Sequence, residues 1–130
     1  MRNINEPVII RVNVFSREIS LDKLEDTFEP EILVTVMKAS IHSLPPLRLQ
    51  TTEYERDIPE VKNVGGFGRI YRRRLAKMNG FDDVFFIDSM GRISEGSISN
   101  IGFYDGERII WPKAAALPGI AMQLIQVGKK

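Results

Sequence analysis

The sequence has no cysteine and a single histidine, His42, among its 130 residues. Without cysteine there is no disulfide framework, thiolate-bound zinc, iron–sulfur cluster or thiol nucleophile. One histidine excludes a multi-histidine metal centre within the chain. His42 lies in Ser40-Ile41-His42-Ser43-Leu44-Pro45-Pro46, which reads as an ordinary loop, and no Gly-x-Ser-x-Gly elbow presents a nucleophile to it. Apolar runs reach only four residues, as in Val84–Ile87, far short of a membrane span. No long apolar region follows Met1-Arg2-Asn3 as a signal peptide would require, so the expected location is the cytoplasm. Neither sign of charge is in excess: 18 Lys and Arg face 17 Asp and Glu, for a net +1. Any chemistry must therefore come from lysine, carboxylates, hydroxyls or a bound cofactor.

What is present fits one globular domain over residues 1–130, with 43% hydrophobic and 27% charged residues. Residues 1–56 are strand-rich. Val8, Ile10, Val12 and Val14 alternate with Ile9, Arg11 and Asn13, and Ile32, Val34 and Val36 alternate again, each with the period of a strand. Between them Arg17–Pro30 is a charged turn region with one short helical turn around Leu21–Leu24. Leu47, Leu49 and Thr51 suggest a third strand beyond Pro45-Pro46. Residues 57–130 change pattern. Phe67, Ile70, Tyr71, Leu75 and Met78 share one face of a helix that Asn79-Gly80 stops. Val84–Ile87 reads as a strand buried on both faces. Asp105-Gly106 turns Ile101–Tyr104 into Arg108–Trp111 as a hairpin, and Pro118-Gly119 opens a last helix at Ile120. The class is α+β.

Three segments could carry chemistry. Lys62, in Asp57-Ile58-Pro59-Glu60-Val61-Lys62-Asn63, stands between a strand and a helix preceded by Gly65-Gly66. Glu95 begins Glu95-Gly96-Ser97-Ile98-Ser99-Asn100-Ile101, an acid followed by hydroxyls and an amide. Leu117-Pro118-Gly119-Ile120-Ala121 offers the free N–H groups of a helix start. Singly each has a plain reading, as a solvated lysine, a surface acid or an ordinary helix cap. Together they match what pyridoxal phosphate requires: an amine for its aldehyde, a carboxylate beside its pyridine nitrogen, and backbone amides for its phosphate.

Lys62, the Glu95–Ile101 segment and Leu117-Pro118-Gly119-Ile120 resemble, in order and spacing, the signature of the class IV aminotransferases. That pyridoxal-phosphate family includes branched-chain and D-amino-acid aminotransferases and aminodeoxychorismate lyase. The resemblance runs from about Pro7 onward and is strongest from Asp57 to Leu124. It implies the D-amino-acid-aminotransferase-like fold, mainly its strand-rich, pseudo-barrel cofactor-binding domain. It implies that Lys62 is the catalytic Schiff-base lysine and that Glu95 pairs with the pyridine nitrogen. Gly119, Ile120 and Ala121 would offer amides to the phosphate, with Ser99 and Asn100 shaping the strand that carries Glu95 and touching the cofactor. An amino-acid or keto-acid substrate and a homodimer follow from the same resemblance, with no role for nucleic acid or membrane.

The departures are specific. Phe67 stands where many relatives have a tyrosine that hydrogen-bonds the cofactor, and Ala121 stands where the family usually has a threonine. Relatives also have an N-terminal α/β domain and further strands and helices after the Gly-Ile helix, which this sequence does not show. The leading expectation is a transaminase. Its alternatives are lyase chemistry from the same lysine, and a truncated homologue that only self-associates. Arg69, Arg72, Arg73, Arg74 and Lys77 raise nucleic-acid binding, but no nucleic-acid motif accompanies them, and they are expected to spread over the solvated side of the helix.

Overall fold

A computed structural model describes residues 6–39 and 45–128. His42 lies outside the described residues. The chain divides into two compact units, Met1–Ser43 and Leu44–Lys130.

In the first unit the two alternating segments form strands β1 (Val8–Phe15) and β2 (Glu31–Lys38), paired antiparallel from Val8 opposite Lys38 to Phe15 opposite Glu31. The expected helical turn is a short 3-10 turn at Leu21–Lys23, capped by the Ser20 hydroxyl, which accepts from the Asp22 N–H. Arg17 closes the connection with two hydrogen bonds to the Glu31 carboxylate. One face of this ribbon is an exposed β-branched stripe, in which Ile10 lies opposite Val36, Val12 opposite Val34 and Val14 opposite Ile32.

The second unit is built on a three-stranded sheet in the order β3 (Leu49–Glu53), β4 (Asp83–Ile87), β5 (Ile93–Gly96). Strands β3 and β4 are parallel, with Leu49 opposite Asp83 and Glu53 opposite Ile87. A parallel pair needs a crossover, and α1 (Phe67–Met78) supplies it. Strand β4 is the centre of the sheet, and its Val84 and Phe86 are fully buried on one face, whereas Phe85 and Ile87 on the other are half-buried, so the expected burial on both faces is met on one. The turn into β5 is held by Asp88. Its Oδ1 accepts from the N–H groups of Met90 (2.9 Å) and Arg92 (2.8 Å), and its Oδ2 accepts from Arg92 Nε (2.6 Å). Gly91 takes a positive φ of 74° there. A two-residue-strand hairpin, β6 (Phe103–Tyr104) with β7 (Ile109–Ile110), and helix α2 (Ile120–Val127) complete the unit.

Helix α1 meets the sheet with the side that the sequence assigns to solvent. Arg69, Arg72, Arg73 and Ala76 face β3 and β4, while Phe67, Ile70, Tyr71, Leu75 and Met78 are exposed. The reason lies in specific partners for each guanidinium. Arg72 lies over the Tyr54 ring at 4.3 Å, Arg69 Nη1 donates to the Ser97 carbonyl at 3.0 Å, and Arg73 pairs with Asp83 at 3.6 Å. Ala76, 1% exposed, lets the helix approach Val84 and Phe86 closely, and Tyr54 packs against that cluster at 4.8 Å from the Phe86 ring. Three of the five basic residues therefore form the seam to the sheet, while Arg74 and Lys77 stay on the exposed side as expected.

Candidate functional site

Glu95 lies in β5, on an edge strand, yet is only 5% exposed. A buried carboxylate requires a partner. Arg56 provides it: its Nε donates to Glu95 Oε1 in an ion pair from which both side chains exclude water almost completely. Glu95 Oε2 makes no hydrogen bond among the described residues, so one face of the carboxylate stays available as an acceptor. Neighbouring Ser94 donates to the Phe86 carbonyl at 3.3 Å, which locks β5 to the sheet centre.

Arg56 was not foreseen from the sequence, although a signal for it exists. Thr52, Tyr54 and Arg56 are all half-buried, while Thr51, Glu53 and Glu55 between them are exposed. The period-two pattern of β3 thus continues past the end of the strand and turns Arg56 inward.

After Glu95 the chain turns back on itself. The Gly96 N–H donates to the Ser99 carbonyl at 2.8 Å, and Asn100 returns to form an antiparallel bridge with Glu95. Ser99 itself is exposed and closes this turn. Ser97 is fully buried, and its Oγ has no hydrogen-bond partner among the described residues.

Asn100 then reaches a distant segment. Its Nδ2 donates to the Leu117 carbonyl at 2.7 Å, and its Oδ1 accepts from the Gly119 N–H at 3.1 Å. Gly119 is the N-cap of α2. Its amide is therefore occupied, and Ile120 and Ala121 carry the first amides of the helix without a partner among the described residues. Asn100 also lines a small cavity of about 90 Å³ together with Ser94, Pro118 and Met122.

The structure thus links Glu95, Asn100, Gly119 and the start of α2 into one connected set. Lys62 is joined to it by no hydrogen bond or ion pair among the described residues. It is exposed in the irregular segment before α1, between a turn from Ile58 O to Val61 N (3.2 Å) and a tighter one from Val61 O to Asn63 N (3.0 Å). Its amine makes no hydrogen bond or ion pair among the described residues. Phe67 is exposed and stacks on Tyr71 at 5.8 Å.

With this geometry in hand, comparison with known proteins gives a direct result. The family model for class IV amino-transferases matches residues 2–127. The chain belongs to that family. No curated protein matches it. Solved structures similar to it include a chain named as a 4-amino-4-deoxychorismate lyase from Legionella pneumophila, at TM-score 0.65 and 24% identity over 75% of this chain and 39% of that one. A branched-chain amino acid aminotransferase from Thermobaculum terrenum, crystallised in its PLP form, matches at TM-score 0.73 and 17% identity, over 90% of this chain and 41% of that one. The branched-chain aminotransferase of Thermoproteus uzoniensis, solved with norvaline, matches at TM-score 0.71 and 18% identity, over 93% and 44%. The chain therefore has a class IV aminotransferase fold and spans about two fifths of the length of these structures.

Proposed function

We propose that this chain carries the cofactor-binding core of a pyridoxal-phosphate-dependent transaminase, which converts an amino acid to a 2-keto acid. The observation that supports it most is the buried Glu95, held by Arg56 on one oxygen, free on the other, and tied through Asn100 to the first turn of α2.

The residues present fit the cofactor. Glu95 Oε2 is an acceptor for a protonated pyridine nitrogen. The Ile120 and Ala121 amides, at the positive end of α2, suit a phosphate dianion. Gly119 enters this set through its place in the turn rather than through its amide, which Asn100 holds. Ala121 contributes no hydroxyl, and one hydrogen bond to a charged group is worth about 1.5–3 kcal/mol, so affinity for the phosphate is expected to be lower than with threonine there. When bound, the cofactor supplies an aldehyde that condenses with amines and a ring that accepts electrons from the α-carbon. Lys62 supplies the amine and moves the proton at the substrate α-carbon. Its amine, without an ion pair among the described residues, is available for both tasks. The site is further proposed to sit near a homodimer interface, in a cytoplasmic protein.

A second reading rests on Phe67. Its side chain cannot donate a hydrogen bond, which weakens the branched-chain reading; the alternative is lyase chemistry from the same lysine, with a different substrate bond broken.

The test is direct. The protein is mixed with pyridoxal phosphate, its visible spectrum recorded, the adduct reduced with borohydride, and the modified peptide mapped by mass spectrometry. Label on Lys62 alone, absent from Lys62→Ala, is the expected result. An amino-donor screen then separates the two readings, because a transaminase passes the amino group to an added keto acid and a lyase does not. Label scattered over several lysines, or none, would overturn both in favour of a homologue without catalysis.

A further inference from the structure

The amide side chain of Asn100 connects two segments that the proposed function needs in register. Asparagine offers an acceptor and a two-proton donor on adjacent atoms of one rigid plane. Asn100 uses both, accepting from Gly119 N–H and donating to Leu117 C=O, and so pairs with the 117–119 segment as a third strand would. Neither atom can be exchanged for the other, because the Gly119 amide must meet an oxygen and the Leu117 carbonyl a donor. Its backbone meanwhile bridges Glu95. One residue therefore touches both the carboxylate strand and the N-cap of α2.

Gly119 is shaped to this contact. A Cβ built on it would lie 2.0 Å from Asn100 Oδ1, closer than non-bonded atoms approach, although the backbone φ of −67° suits any residue. The absence of a side chain at 119 is thus required by the neighbour rather than by the backbone. No side chain caps α2. Asn100 performs that service from 19 residues away, satisfying the N-cap amide and leaving those of Ile120 and Ala121 open.

We infer that Asn100 is a positioning residue that fixes the first turn of α2 relative to Glu95, so that the anion-binding amides and the carboxylate are presented at one set distance. The inference rests on the proposed pyridoxal-phosphate site, and its test has a part that needs no cofactor. Amide hydrogen exchange and 1H–15N spectra of the whole chain are recorded for the wild type, Asn100→Ala and Asn100→Asp, with inorganic phosphate and then pyridoxal phosphate as probes. In Asn100→Ala the Gly119 amide is expected to exchange about tenfold faster or more, the phosphate response of Ile120 and Ala121 to fade, and pyridoxal phosphate to bind roughly tenfold more weakly. Exchange at Val84 and Phe86 reports that the fold survives. Asn100→Asp keeps the acceptor but sets a carboxylate oxygen against the Leu117 carbonyl, so Gly119 is expected to exchange faster, while the added negative charge weakens phosphate binding. This variant decides the matter if Asn100→Ala fails to fold. Unchanged Gly119 exchange and phosphate response in a folded Asn100→Ala or a folded Asn100→Asp would overturn the inference. If Gly119 protection depends on Asn100 but the wild type takes neither phosphate nor cofactor, the clamp stands and the cofactor reading falls.

Discussion

The Arg56–Glu95 pair concentrates most of the electrostatic risk in the chain. Removing two charges from water is costly, and the pair offsets that cost only while both partners remain. Arg56→Ala strands a carboxylate in the interior, and such losses run to about 3–5 kcal/mol. Chemical denaturation followed by far-UV dichroism is expected to show a loss of that size, and to show much of it regained when Glu95→Gln is added. A loss below about 1 kcal/mol would place the pair with ordinary surface ion pairs. Asp88 gives the residue scale its pH dependence. Burial opposes its ionisation, but the N–H groups of Arg92 and Met90 and the Arg92 guanidinium outweigh burial and hold the carboxyl below its ordinary value of 3.8. A group with a depressed native pKa stabilises the fold above its unfolded value and loses that contribution as pH falls through the native one. Thermal melts are thus expected to weaken below about pH 4, and Asp88→Asn to flatten that decline.

At the scale of elements, α1 shows where periodicity stops being informative. Its extent, Phe67–Met78, agrees with the spacing of its apolar residues and the Asn79-Gly80 stop. The face it turns to the sheet does not, because two stripes share the helix. One is apolar; the other, Arg69, Arg72, Arg73 and Ala76, has long aliphatic stems, an aromatic ring to cover and two polar partners. A count of apolar positions assigns arginine to water by default and cannot see Tyr54, Ser97 or Asp83 across the gap. Substitution tests the assignment. Ala76→Leu overfills the seam against Val84 and Phe86 and is expected to cost about 1–3 kcal/mol, whereas exposed Leu75→Ser is expected to stay within about 0.5 kcal/mol. The reverse ranking by urea denaturation would restore the apolar stripe as the packed one. The sheet tells the same story. Strands β1 to β4 were legible from alternation or from the Val84–Ile87 run and the β6–β7 hairpin from Asp105-Gly106, but β5 and the parallel pairing of β3 with β4 were not, since that pairing depends on residues more than thirty positions apart. The candidate site was legible in the same degree: Glu95, Asn100 and the Gly-Ile turn as motif positions, Arg56 only once the inward phase of β3 is followed past its end.

For the whole molecule, stability is divided unequally between the two units. The buried hydrophobic residues Ala76, Val84, Phe86 and Ala114 all belong to the second unit, whereas the apolar side chains of β1 and β2 are largely exposed. A two-stranded ribbon with no covered face is marginal by itself, because its cross-strand contacts must offset the ordering of both strands. Hydrogen exchange on the intact chain at low concentration is therefore expected to find slow amides in β4 and the adjoining part of α1, and fast exchange throughout β1 and β2. The concentration dependence carries the functional content. The proposed homodimer would cover exposed apolar surface and bind the native state alone, so by mass action it would slow exchange as protein concentration rises. Sedimentation at the same concentrations would show the matching rise in mass. Protection of β1 and β2 that is high at every concentration, with a monomeric mass throughout, would mean that the ribbon is stabilised within a single chain and that dimerisation is not what completes it.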